Sequence, residues 1–278
     1  MKQLITEHLA TWTTAPKGIK KLRELILELA VRGLLVPQDI NDEPASELLI
    51  KIAAEKARLV SEGIIKPPKP LANISEEEKP FALPLGWTIA RFGTLAEIER
   101  GGSPRPIKSF LTEDPNGLNW IKIGDTDKGG KYIVSTAEKI IREGLSKTRM
   151  VYSGDFLLTN SMSFGRPYIT KIDGCIHDGW LRISPPSTID KDYLYLLLSS
   201  PYIVNAFKVS AAGAVVQNLN ADKVRDVIVL IPPFNEQHRI VTKVDELMTL
   251  CEQLKTQFAT AQTLQQQLAD TLVQQAVT

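Results

Sequence analysis

His177 and Asp178 stand side by side in the short loop Cys175–Gly179, and an imidazole beside a carboxylate is a possible proton-transfer pair. The default role for an Asp in such a loop is to cap a turn. The other histidines, His8 and His238, fall in different parts of the chain, so the spacing suggests no histidine metal cluster. Asp155 and Asp173 are carboxylates of the kind that would hold Mg²⁺ in a stand-alone DNA nuclease, and that alternative stays open at this point. No GxGxxG follows a strand, and neither GxxxxGK[ST] nor HExxH occurs. Gly101-Gly102 and Gly129-Gly130 read as turns. Cys175 and Cys251 lie far apart and form no CxxC pair, which argues against a disulfide framework or Cys-rich zinc site and fits a reducing, cytoplasmic setting.

Ile231-Pro232-Pro233-Phe234 falls one residue short of the (Asn/Asp/Ser)-Pro-Pro-(Tyr/Phe) motif of amino-methyltransferases. In that motif the first side chain must accept a hydrogen bond from the target amino group, and isoleucine has no acceptor. With no glycine loop for AdoMet either, the chain is not expected to methylate by itself. The proline pair instead ends one element and launches the next.

The elements that hold these residues fall into three zones. Residues 1–80 read as helical: Ile19, Leu22, Leu25, Ile26 and Leu29 share one face, and Gly33 with Pro37 supplies a stop. Asn41-Asp42-Glu43-Pro44 announces a second helix with Leu48, Leu49, Ile52, Ala53 and Leu59 as its stripe, ending at Gly63. Lys66-Pro67-Pro68-Lys69-Pro70 is a stiff, extended connector, and Pro80 limits any helix begun at Ser75-Glu76-Glu77-Glu78. Residues 81–234 carry most of the Gly and Pro. Short β-rich runs lie between turn clusters at Asn119–Ile123, Lys131–Val134, Asp155–Leu158, Tyr168–Ile172, Trp180–Ile183 and Val227–Ile231. A helix at Asp192–Leu198, running on past Pro201 through Val204 and Phe207, interrupts them.

Residues 235–278 contain neither Gly nor Pro. Val244, Leu247, Cys251, Leu254, Phe258, Ala261, Gln265, Leu268 and Leu272 alternate in steps of three and four, a heptad seam over about four heptads. A helix of ~40 residues is ~60 Å long and needs a partner helix, from this chain or another. Gln265 either fixes the register or faces solvent near a frayed end. The expected fold class is α+β, with one mixed α/β domain of short strands flanked by N-terminal helices and a long C-terminal coiled-coil helix.

Length and charge agree with this division. The 278 residues allow one or two domains with a substantial core. The 33 basic residues against 32 acidic ones exclude a polybasic arm or acidic tail as the main feature. The first zone holds 12 basic and 12 acidic residues, the second 18 and 15, and the third 3 and 5, so the slight positive excess sits in the middle. The N-terminus lacks the apolar core of a signal peptide, and no apolar run reaches the ~18–20 residues of a membrane span.

Taken in order, several segments resemble one family. Leu83-Pro84-Leu85-Gly86-Trp87, Gly101-Gly102-Ser103-Pro104-Arg105 and Asn119-Trp120-Ile121-Lys122-Ile123-Gly124-Asp125 resemble the target recognition domain of type I restriction-modification specificity (S) subunits. So do Gly154–Ser161 and Phe164-Gly165-Arg166. Ile231–Val241 is similar to that family's IPxPPxxEQxRIV junction into a long helix, and Leu35–Asp39 with Asn41–Ser46 resembles its N-terminal helical region. The departure is length: a full S subunit has two recognition domains, whereas this chain resembles half of one, with intact-looking ends.

The resemblance implies a non-catalytic chain that reads double-stranded DNA and holds methyltransferase (M) subunits, and in larger complexes restriction (R) subunits. AdoMet, ATP and Mg²⁺ would then belong to those partners and no cofactor to this chain. It divides the chain into an N-terminal helical region with its linker (1–80), a recognition domain (81–234) and a spacing helix (235–278) that pairs two copies on an inverted-repeat target. Arg and Lys can bind guanine, Asn and Gln adenine, and Ser several base edges or phosphate. The loop with Ser103, Arg105 and Lys108, the cluster Asn160, Ser161, Ser163 and Arg166, and the pair Gln217 and Asn218 are therefore the expected DNA contacts, with Lys122, Lys128 and Lys131 on phosphates.

Overall fold

The computed structural model describes residues 7–8, 11–12, 15, 17–65, 67–127, 129–161, 164–211 and 219–277. Lys128, Ser163, Gln217 and Asn218 lie outside them. Two N-terminal helices form where the apolar spacing places them, α1 (Gly18–Val31) and α2 (Ala45–Ser61). Gly33 takes a left-handed φ of 68° just past α1, a conformation that costs glycine little. The Ser75–Glu78 segment makes only a 3₁₀ turn, Glu76–Glu78, whose Glu78 carboxylate accepts the Ser75 N–H at 3.0 Å and pairs with Arg91 at 2.8 Å.

The middle zone is a mixed α/β body. β1 (Thr88–Arg91) pairs antiparallel with β12 (Ile228–Ile231), so the entry and exit of the zone lie together. One five-stranded sheet has the order β3-β6-β4-β10-β7, built from β3 (Leu111–Thr112), β6 (Glu138–Ile140), β4 (Leu118–Ile121), β10 (Gly174–Ile176) and β7 (Arg149–Val151). A second has the order β2-β11-β8-β9-β5, from β2 (Glu97–Arg100), β11 (Trp180–Ser184), β8 (Phe156–Thr159), β9 (Pro167–Thr170) and β5 (Tyr132–Ile133). β8 and β9 are buried along their whole length, which is why they read as plain apolar runs.

Short helices close this body: α3 (Phe92–Leu95), α4 (Lys191–Ser199), α5 (Pro201–Ala211) and α6 (Ala221–Asp226). The single helix expected through Pro201 is two. The Ser200 hydroxyl accepts the Ile203 N–H at 3.3 Å, and Pro201 occupies the first helical position, where its missing N–H costs nothing. Asp190 and Asn220 cap α4 and α6 by accepting N–H bonds from Tyr193 and Lys223, each at 2.8 Å.

α7 (Phe234–Val277) is one 44-residue helix, about 66 Å long at 1.5 Å per residue. Its first half packs on α1, and Ile240, Val244, Leu247 and Cys251 share a buried cluster with Leu22, Ile26 and Ala30. Arg23 and Glu252 form an ion pair across this contact. The same cluster takes in Tyr193, Leu194 and Phe207 of the middle zone, so all three zones share one core. Two smaller clusters fill the body elsewhere, around Trp180 and Tyr168 and around Trp120 and Cys175.

The start of α7 is also tied down by polar contacts. Gln237 accepts the Asp190 N–H at 2.8 Å and donates to Pro232 O at 3.1 Å. Arg239 pairs with Asp42 at 2.6 Å, and Gln38 donates to the buried Glu236 at 3.2 Å. Among the described residues, no helix is long and apolar enough to cross a membrane.

Candidate nucleic-acid interface

Gly101 and Gly102 carry the chain from β2 into the loop of Ser103, Arg105 and Lys108. Their N–H groups donate to Trp180 O at 2.9 Å and Ile176 O at 3.2 Å. A Cβ on Gly101 would stand 2.2 Å from His177 O, and one on Gly102 2.5 Å from Lys147 O. The pair is therefore a place where two backbones cross, rather than a simple turn, and only glycine allows the approach.

The loop faces three other segments: Trp120 and Lys122 at the end of β4, Glu138 at the start of β6, and His177-Asp178 between β10 and β11. Together they line an open groove of about 910 Å³. Asp125 braces one wall, accepting the Lys122 N–H at 2.7 Å and the Ala137 N–H at 3.1 Å. Lys122 reaches Glu138 at 2.8 Å. On the other wall the Asp178 carboxylate accepts the Ser103 hydroxyl at 2.9 Å and lies 3.6 Å from the Arg105 guanidinium, whose side chain is 81% exposed.

His177 and Asp178 do not form a proton-transfer pair, since Nδ1 lies 3.8 Å from the carboxylate and instead accepts the Gly179 N–H at 2.6 Å. Burial holds the imidazole below its ordinary pKa, against the opposing pull of Asp178. The ring is a neutral brace under the groove. Burial pushes the Cys175 thiol up to about 11, which leaves it protonated and inert. Asp155 and Asp173 accept N–H bonds from Tyr152 at 3.0 Å and Ser153 at 2.8 Å, so both serve one turn. Among the described residues no group of three or more His, Cys, Asp or Glu is placed to hold a metal ion.

The groove gathers Ser103, Arg105, Lys108 and Lys122. Lys131 and Arg166 lie elsewhere, at the β9–β5 edge. Lys131 is ion-paired with Asp192 and sits 4.7 Å from the Tyr195 ring, while Arg166 stacks over Tyr168 at 5.1 Å. Asn160 corrects the reading of a base contact: it is 1% exposed, and its amide donates to Asp178 O at 2.7 Å. It holds the 178 turn from behind, and its neighbour Ser161 is half-buried. The heptad seam divides as well. Val244, Leu247 and Cys251 are buried within this chain, Leu254 and Phe258 are half-buried, and Ala261, Leu268 and Leu272 are exposed. Pattern reasoning gave no site role to Asp125 or to Glu138, which meets Lys122 from a different strand. It read Asp178 as a proton-transfer or turn-capping residue, not as the partner of Arg105 far back in the chain.

The chain thus has an α+β build with a cationic loop groove and a long helix. Residues 84–260 match the family model described as type I restriction modification DNA specificity domain. The type I restriction enzyme EcoAI and EcoEI specificity subunits of Escherichia coli are 36% and 35% identical to it, each over 98% of this chain and 49% of theirs. The fold is similar to the HsdS subunit from Thermoanaerobacter tengcongensis, with a TM-score of 0.52 and 20% identity over 91% of this chain and 55% of that one. The chain belongs to the type I restriction-modification DNA specificity family. It spans about half the length of the curated relatives it matches.

Proposed function

We propose that this chain reads one half-site of double-stranded DNA through the groove of Ser103, Arg105, Lys108 and Lys122, and does no chemistry itself. The observation that carries the reading is that the loop of Ser103, Arg105 and Lys108 meets Lys122, from a separate segment, along one open groove. Arg and Lys, both able to pair with guanine O6 and N7 as well as with phosphate, are the residue types such a surface needs. Lys131 and Arg166 would add contacts outside the groove. Methyltransferase subunits, and restriction subunits in a larger complex, would bring the catalysis together with AdoMet, ATP and Mg²⁺.

Two copies would join through the exposed distal half of α7, where Leu268 and Leu272 are 60% and 55% exposed. Twofold pairing of identical readers favours an inverted repeat with a spacer. The nuclease alternative is not favoured, because Asp155 and Asp173 are engaged in a turn. Selection from a pool of randomised duplexes by the purified chain tests the reading. Enrichment of a short motif, lost in Arg105→Ala, is the expected result; an unenriched pool would refute it.

A further inference from the structure

The proposed groove holds its cations on acidic partners. Arg105 lies 3.6 Å from Asp178, and Lys122 is 2.8 Å from Glu138. Both carboxylates line the groove itself, where a DNA-binding surface would gain non-specific affinity by lacking them. Asp178 also accepts the Ser103 hydroxyl at 2.9 Å, and its backbone carbonyl takes bonds from Asn160 and Arg100 at 2.7 and 3.1 Å. Its carboxylate is thus fixed on a braced turn, while the Arg105 side chain is 81% exposed and free to leave it. A phosphate offers Arg105 the same paired anionic oxygens that the carboxylate already presents, so that exchange gains little. Guanine offers O6 and N7 together in a bidentate geometry.

From this arrangement we infer that Asp178 is a specificity-determining positioning residue, which holds Arg105 at the groove mouth and withholds it from the DNA backbone until a base edge competes for it. Glu138 does the same for Lys122. The inference deepens the DNA reading proposed above and rests on it. The discrimination comes from the repulsive element as much as from the attractive one.

The test is duplex binding by the full chain against the duplex its selection enriches and against a random-sequence duplex, each over a salt series. Asp178→Asn keeps an oxygen that accepts from Ser103 and removes the charge. A freed Arg105 adds one phosphate contact, so random-duplex binding should tighten about five-fold at 0.15 M salt, with a log–log salt slope steeper by about 0.9. The ratio of selected to random affinity should fall. A purely structural role for Asp178 would weaken both duplexes together; that result, or unchanged random-duplex affinity, overturns the inference. Glu138→Gln, which does not touch the Ser103 loop, carries the same expectation on the Lys122 arm if Asp178→Asn fails to fold. If the unaltered chain binds neither duplex, the DNA reading itself fails, an outcome distinct from any change of ratio between variants.

Discussion

Replacing Leu247 by alanine tests whether the proximal half of α7 is core or seam. Leu247 is 1% exposed and lies in the cluster shared with Leu22 and Ile26 of α1. Truncating such a leucine removes its transfer free energy and leaves a cavity, about 2–5 kcal/mol together. For a chain of this size each kcal/mol moves the melting temperature by roughly 2–4 °C, so a loss near 3 kcal/mol lowers it by about 6–12 °C. Leu268→Ala is the matched control, three heptads farther along the same stripe. Leu268 is 60% exposed, and its truncation should stay within about 0.5 kcal/mol at low protein concentration. Thermal unfolding followed by circular dichroism reads both. Equal losses in the two variants would refute the division of the stripe into a buried and an exposed half. A loss in Leu268→Ala that grows with protein concentration would mark the exposed half as the contact between copies.

Two further outcomes follow from the same packing. Burial holds the Glu236 carboxyl above the usual carboxylate range, while Gln38 pulls it back, so the folded chain keeps that proton more tightly than the unfolded chain. Its contribution is complete below the unfolded value near ~4.3 and is lost as pH rises through the folded value; Glu236→Gln should therefore match the unaltered chain in melting temperature at pH ~4 and exceed it near pH ~7. An equal gap at both pH values contradicts the assignment. Gly101→Ala drives a Cβ toward His177 O and should cost about 1–3 kcal/mol along with specific DNA binding, whereas Gly124→Ala, with nothing within 4 Å of its Cβ, should unfold like the original chain.

Much of the fold could be read from residue patterns. The absence of Gly and Pro after Pro233 marked α7, and apolar spacing with Gly33 and Gly63 marked α1 and α2. β8, β9 and β11 stood out because they are buried and bounded by turns. β2 did not, because Glu97-Ile98-Glu99-Arg100 looks polar; Glu99 is matched by Arg149 and Arg182 from strands far along the chain. β10 is three residues long and pairs in parallel with β4, a partner more than 50 residues away. The site was half legible. Residue type named Ser103, Arg105 and Lys108 as one loop and Lys122 separately, and the fold brings these four to one groove; type alone also named Asn160, whose amide serves the interior. Periodicity found the α7 stripe and had no means of telling that α1 covers Leu247 and leaves Leu268 bare.

Sequencing the methylated sites of cells that express a methyltransferase partner subunit with this chain bears most directly on the proposal that the chain supplies sequence and its partners supply chemistry. The expected result is one short bipartite inverted repeat, modified only when the chain is present and lost with Arg105→Ala together with Lys122→Ala. Methylation of the same sites without the chain, or methyl transfer or DNA cleavage by the purified chain alone, would contradict it.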